Sequence, residues 1–215
     1  VINLDKLVDE PFYQNDTYIW DLEQAKTDHV FCRPLAASID ELIFRYQPDE
    51  EKQNFVDLGC GKGSYLAYLK ERHPTSQFCG IEGTPDIDKI AEFSPIFQGI
   101  DLSKSLRDNP QKTAAWRNAH VICLEVMEHL TEEDQHVLLD NIDFCCGSEC
   151  FLIFSVATPL QDGLGHHNNL SSYEAICLIE RRGYTLRVAD TFRFRHFVDK
   201  SASWFQNTLL IFRRL

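Results

Sequence analysis

Asn54-Phe-Val-Asp-Leu-Gly-Cys-Gly-Lys-Gly63 is the stretch that decides the fold. A short apolar run carries one acid, Asp57, and ends in three alternating glycines, Gly59, Gly61 and Gly63. Apolar residues at helical spacing follow as far as the His73-Pro74 break. A strand that feeds a tight turn into a helix N-terminus reads this way, and such a turn lets a ligand approach bare backbone. Glycine supplies the positive φ the turn needs and removes the Cβ that would block that approach.

Outward from this turn, strand and helix patterns alternate. The spacing predicts strands at 54–58, 77–81, 96–100, 120–124, 149–156, 184–189 and 207–213. It predicts helices at 33–46, 63–72, 86–93, 171–182 and one that includes 132–141, with 103–118 as helix or loop broken at Pro110. Phe192-Arg-Phe-Arg-His-Phe197 alternates aromatic and basic residues, the period of a half-buried edge strand. Alternation of strands and helices implies an α/β domain with a mostly parallel sheet covered on both faces. Ligands on such sheets bind beyond the C-terminal strand ends, and Asp57, Glu82, Asp101 and Glu125 all fall there.

Composition narrows the class. The chain has 215 residues, 44% of them hydrophobic, enough for one domain with a full core. No apolar run approaches the roughly 18–20 residues of a membrane span. Asp5, Asp9 and Glu10 interrupt the opening residues, so no secretory signal is read there. The eight cysteines fall in or beside predicted elements and read as buried thiols of a reducing, cytoplasmic compartment. Cys145, Cys146 and Cys150 cluster without a C-x2-C pair or an adjacent His, which favours a cysteine-rich helix end over zinc. A net charge of -12 argues against strong nonspecific nucleic-acid binding. The charge is uneven, with 12 acidic against 5 basic side chains over 1–54 and 8 basic against 2 acidic over 181–215. The chain opens on Val1 with no initiator methionine, which reads as an excised domain of a larger polypeptide, a processed product or a trimmed chain. Residues 1–50 read as an N-terminal arm and helix with Phe12, Tyr13, Tyr18 and Trp20, a candidate lid, and 51–215 as the main domain.

The glycine turn, the acids after successive strands and Glu125-Val-Met-Glu128-His129 together resemble the Rossmann-like class of S-adenosylmethionine (SAM)-dependent methyltransferases. The dehydrogenase fingerprint G-x-G-x-x-G is not met, because Gly63 is followed by Ser64-Tyr65-Leu66. The resemblance spans roughly 54–215 and implies a seven-stranded, mostly parallel sheet whose last strand is antiparallel. It also implies roles. Asp57, Gly59, Cys60, Gly61 and Gly63 would hold the methionine end of SAM, partly through backbone groups. Glu82 and Gly83 would meet the ribose diol, and Asp101 and Leu102 the adenine. Glu125 would face the reacting end. Asp101 alone also fits a helix N-cap.

On the acceptor side, Glu125, Glu128 and His129 stand at i, i+3 and i+4, which on a helix would put them on one face. With His166 and His167 downstream, E-x-x-E-H resembles ubiquinone-pathway catechol O-methyltransferases and the 2′-O-methyltransferases of small-RNA 3′ ends. That resemblance implies catalytic roles for Glu125, Glu128, His129, His166 and His167, and a Mg2+ or Mn2+ ion on Glu125, Glu128, His129 and His166. Metal-free members are similar at this place, with Glu128 or His129 as general base or bonded to backbone. Two acceptor classes follow, a small molecule methylated on O or N, and RNA. A third reading is a SAM-binding domain without catalysis serving a partner.

Overall fold

The computed structural model describes residues 21–47 and 53–215. The expectations placed on Phe12, Tyr13, Tyr18 and Trp20, and on the 48–52 connection, lie outside the described residues. Seven strands form one sheet: β1 (Asn54–Leu58), β2 (Gln77–Ile81), β3 (Ile96–Phe97), β4 (His120–Leu124), β5 (Phe151–Ser155), β6 (Tyr184–Leu186) and β7 (Leu210–Arg214). Their order is β3-β2-β1-β4-β5-β7-β6. Every pairing is parallel except those of β7 with β5 and β6. The α/β class, the strand count and the antiparallel β7 thus agree with expectation. Strand order reverses between β1 and β4, and a crevice opens beyond their C-terminal ends.

The seven α-helices are α1 (Leu22–Asp28), α2 (Arg33–Tyr46), α3 (Ser64–Arg72), α4 (Glu132–Cys145), α5 (Ser172–Glu180), α6 (Val188–Phe197) and the short α7 (Phe205–Thr208) among the described residues. Each starts for a local reason where a cap exists. Asp21 with Gln24, and Ser171 with Glu174, form reciprocal capping boxes, and Thr131 accepts from Asp134 N–H.

Strand residues alternate between two apolar layers, as period two requires. Val56, Leu58, Val121, Cys123, Leu152 and Phe154 face α4, α5 and Trp116. Phe55, Phe78, Ile122, Phe151 and Ile153 face α2, α3 and α6. Phe55 and Phe78 stack at 4.8 Å across β1 and β2. Since Leu35, Ile39 and Leu42 of α2 belong to this second layer, the 50/51 division does not divide the core. All eight cysteines are free thiols, six of them buried. No helix among the described residues is long and apolar enough to cross a membrane.

Three expectations are corrected. Phe192–Phe197 is not an edge strand but the second half of α6. Buried residues there recur at 190, 191 and 194, a helical period, with Phe194 in the α2 layer. Asp190 in the first turn and Arg195 and His196 in the last complement the helix dipole. Arg193 pairs with Glu41 of α2, and buried Asp190 with Arg45 at 3.4 Å and Arg187 at 3.2 Å. The helix expected at 86–93 shrinks to a 3-10 turn, Ile87–Lys89, because Asp86 takes a left-handed φ of 60° and Phe93 is drawn down against Phe78. The strand expected at 96–100 ends at Phe97, where Gly99 turns the chain with φ 68°.

Candidate active site

The glycine turn closes tightly. Gly59, Gly61 and Gly63 all take positive φ, at 73°, 53° and 77°. A Cβ on Gly63 would stand 2.7 Å from the Phe93 Cβ, and one on Gly61 would overlap the His29 ring. The turn's amides are spent within the protein: Gly59 N–H and Cys60 N–H donate to Ile81 O at 2.8 and 3.2 Å, and Gly63 N–H to Cys60 O at 2.9 Å. Glu82 binds the turn from β2. Its carboxylate accepts from Gly61 N–H and Thr84 N–H, each at 2.8 Å. These four amides are committed within the protein, and Asp57 is the acid the turn presents to the space above it.

Above the turn lies a cleft of about 1020 Å³, counted with its open mouth. Asp57, Gly59, Cys60, Glu82, Gly83, Asp101, Leu102, Glu125 and His129 line it, from the ends of β1, β2 and β4 and the loop after β3. Gly61 and Gly63 do not, since His29 and Phe93 cover them. Burial, then the neighbouring Glu82, pushes Asp57 well above the usual carboxylate range. Such a pair favours a cationic group placed beside it. Asp101 Oδ1 accepts from Ser103 N–H at 2.8 Å, an Asx turn that starts no α-helix.

The Glu125–His129 segment is not one helix face. Glu125 leaves β4 in the left-handed region at φ 53°, Met127–His129 is a 3-10 turn, and α4 begins only at Glu132. The three side chains are parted accordingly. Glu125 lines the cleft and accepts from Gln161 Nε2–H at 2.7 Å. Burial raises its pKa, against the Ser155, Gln161 and Thr208 side chains, which lower it. Glu128 turns inward and is 0% exposed. Burial, then Glu125, pushes it well above the usual range. Its carbonyl accepts from His167 N–H at 2.7 Å and Asn168 N–H at 3.1 Å, which fastens the 158–169 loop over the site.

His129 donates from Nδ1 to Gly165 O at 3.1 Å, so the lone pair of the neutral ring is on Nε2. Burial takes its pKa down to about 4, with His166, His167 and His29 adding to the drop. The His166 ring is 5.2 Å from that of His129 and edge-on to it. Glu128, His129 and His166 bring one donor atom each within 4.8 Å of one another, and Glu125 is outside that group. His166 and His167 do not line the cleft.

Residues with no local sequence signal complete the cleft. Val30 and Tyr65 come from the segment before α2 and from α3, and Trp204 and Phe205 from the start of α7. His29 joins them; the sequence offers only its place in an H-x-x-x-R-P run before α2.

The buried carboxyl groups carry a pH signature. Glu128 keeps its proton in the folded state to a higher pH than in the unfolded chain. Above about pH 4.3 the unfolded chain ionises first, so this group's contribution falls as pH rises, by up to about 1.4 kcal/mol per pH unit. Urea unfolding of Glu128→Gln in EDTA between pH 5 and 8 is expected to show a shallower decline than the parent. An identical decline would mean that Glu128 is ionised in the folded protein.

A family model described as a methyltransferase domain matches residues 27–202. No curated protein sequence matches the chain. Among solved structures, SAM-bound CalS10, an amino pentose methyltransferase from Micromonospora echinaspora, is similar with a TM-score of 0.62. It is 14% identical, over 94% of this chain and 100% of that one. A TehB-like SAM-dependent methyltransferase from Corynebacterium glutamicum has a TM-score of 0.57 at 18% identity, covering 89% of this chain and 92% of its own. The N-methyltransferase NodS from Bradyrhizobium japonicum, in complex with S-adenosyl-L-homocysteine (SAH), has a TM-score of 0.54 at 17% identity, covering 84% and 88%.

Proposed function

The chain belongs to the methyltransferase-domain family, and from that premise we propose that it uses SAM to methylate an oxygen or nitrogen of a small-molecule acceptor. One observation carries the reading: four carboxyl groups, Asp57, Glu82, Asp101 and Glu125, converge around a glycine turn at the point where strand order reverses. SAM would supply a methyl group on a sulfonium cation. Asp57 would take the ammonium, and Glu82 the ribose diol with its remaining lone pairs. Asp101 would accept from the adenine amino group beside Leu102. The bound SAM of CalS10 and SAH of NodS support the choice of cofactor.

At the acceptor end, Glu125 and His129 are the lining residues able to hold a proton, and they would orient the hydroxyl or amine along the line of displacement. In a metal-assisted form, Glu128, His129 and His166 would hold the ion; one carboxylate with two neutral imidazoles suits Mn2+ over Mg2+, which prefers oxygen ligands. There the ion would acidify an acceptor hydroxyl.

The arginines weigh against an RNA acceptor. Six of the eight basic side chains over 181–215 are committed within the protein. Arg182, Arg187, Arg193 and Arg213 pair with carboxylates, and Arg195 and Arg214 donate to backbone carbonyls.

The test is SAH release from SAM with a panel of small hydroxyl and amino acceptors, and with RNA, at low and high salt. Turnover on a small acceptor, insensitive to salt, is expected. Turnover only on RNA, falling steeply with salt, would favour the RNA reading. Cofactor binding without turnover on either would favour a non-catalytic domain within a larger assembly. EDTA arms read the metal: activity lost and restored by Mn2+ supports it, and full activity in EDTA removes it.

A further inference from the structure

We infer that His29 holds the carboxylate at the amino-acid end of the cofactor, an assignment that rests on the SAM reading above. That end is a zwitterion, so its ammonium and carboxylate need opposite partners. The ammonium is well supplied by the acids of the cleft. The carboxylate is not. Asp57, Glu82, Asp101 and Glu125 all line the cleft, and among the described residues no lysine or arginine does.

A glycine turn commonly receives an anion on its amides. Here the Gly59, Cys60 and Gly63 amides donate to backbone carbonyls, and the Gly61 amide donates to the Glu82 carboxylate. An anion beside Gly61 would therefore meet negative charge rather than donors. With these four amides taken, a side chain on the same wall is the next source of a donor.

Two imidazoles are the lining groups able to become cations. His129 is turned to the acceptor loop, with Nδ1 donating to Gly165 O at 3.1 Å. His29 lies on the other side of the question. Its ring sits directly on Gly61, close enough that any Cβ there would overlap it, and it replaces Gly61 as the lining of the cleft. The imidazole thus stands on the turn itself, on the wall shared with Asp57 and Gly59. The segment that carries it is anchored nearby, where Cys32 N–H donates to the Tyr65 hydroxyl at 3.3 Å. An imidazole N–H in this place can donate to a carboxylate, with charge assistance when the ring is protonated. The glycine at 61 then has a second purpose: it makes room for that ring.

The experiment compares SAH with 5′-methylthioadenosine, which lacks the amino-acid end, on the parent, His29→Phe and His29→Gln. Phenylalanine keeps a ring over Gly61 and removes the donor; glutamine keeps a donor. Calorimetry is expected to show SAH weakened roughly 10- to 100-fold in His29→Phe. Methylthioadenosine should hold within about twofold of the parent, and His29→Gln should recover part of the loss for SAH. Equal weakening of both ligands would overturn the inference, because the ring would then only pack the turn, and so would unchanged SAH affinity. A parent that binds methylthioadenosine and SAH equally would also overturn it. A parent that binds neither would instead overturn the cofactor reading.

Discussion

Replacing Glu82 with alanine is expected to abolish measurable SAH binding and to destabilise the fold at once. One carboxylate serves both ends. It accepts from Gly61 N–H and Thr84 N–H at 2.8 Å, and it lines the cleft where the ribose diol would lie. Thr84 is 0% exposed and Gly61 is covered by His29, so neither amide gains water when the carboxylate goes. Each orphaned buried donor costs about 1–3 kcal/mol, and the pair about 2–4 kcal/mol after partial relaxation. Urea unfolding reads the stability, and calorimetry on the folded fraction reads the binding. Glu82→Gln separates the two: the amide keeps one oxygen for one of the two backbone N–H groups, so stability should return in part while binding stays weak. Full SAH affinity in either variant would remove Glu82 from the cofactor site.

The second large effect lies behind the sheet. Trp116 is fully buried in the layer that backs β1 and β2, edge-on to Phe97 of β3 at 5.2 Å. Trp116→Ala leaves a cavity that a loop of 3-10 turns cannot refill, and is expected to cost about 3–5 kcal/mol in urea unfolding. Ile100 and Leu102, which wall the cleft beside Asp101, pack in the same layer. SAH binding should therefore weaken in the variant even where it is still folded. A loss under about 1 kcal/mol would show that the 103–118 segment is not fixed by this residue.

The strands were legible because they are covered on both faces. Runs such as His120–Leu124 have few polar interruptions, and a pattern of that length between breakers has one good reading. Phe192–Phe197 misleads for the opposite reason. F-R-F-R-H-F alternates with period two, but α2 offers Glu41 to Arg193 and an apolar bed to Phe194, and tertiary packing overrides the local period. Asp190 at one end and His196 at the other were the available signal for a helix.

At the site, residues on strand ends could be read and residues brought by long-range packing could not. Asp57, Glu82, Asp101 and Glu125 each close or follow a strand, so topology alone gathers them. The left-handed turn at Glu125 is written in no propensity, since a non-glycine residue rarely adopts it. It sends Glu128 into the core and leaves Glu125 in the cleft, where helical spacing would have kept them together. Strain of this kind is tolerated where surrounding contacts over-determine it, and here Ser155 and Gln161 do so. Trp204, Phe205 and His29 come from both ends of the chain to one cleft, and only the folded chain reveals that meeting.

The most direct test of the central claim is calorimetric titration of SAH into the parent protein. Saturable one-site binding in the micromolar range, lost in Glu82→Ala, is the result this structure calls for. No heat from a protein shown to be folded by its cooperative urea transition would contradict it, and the cleft above Gly59–Gly63 would then have to serve another ligand.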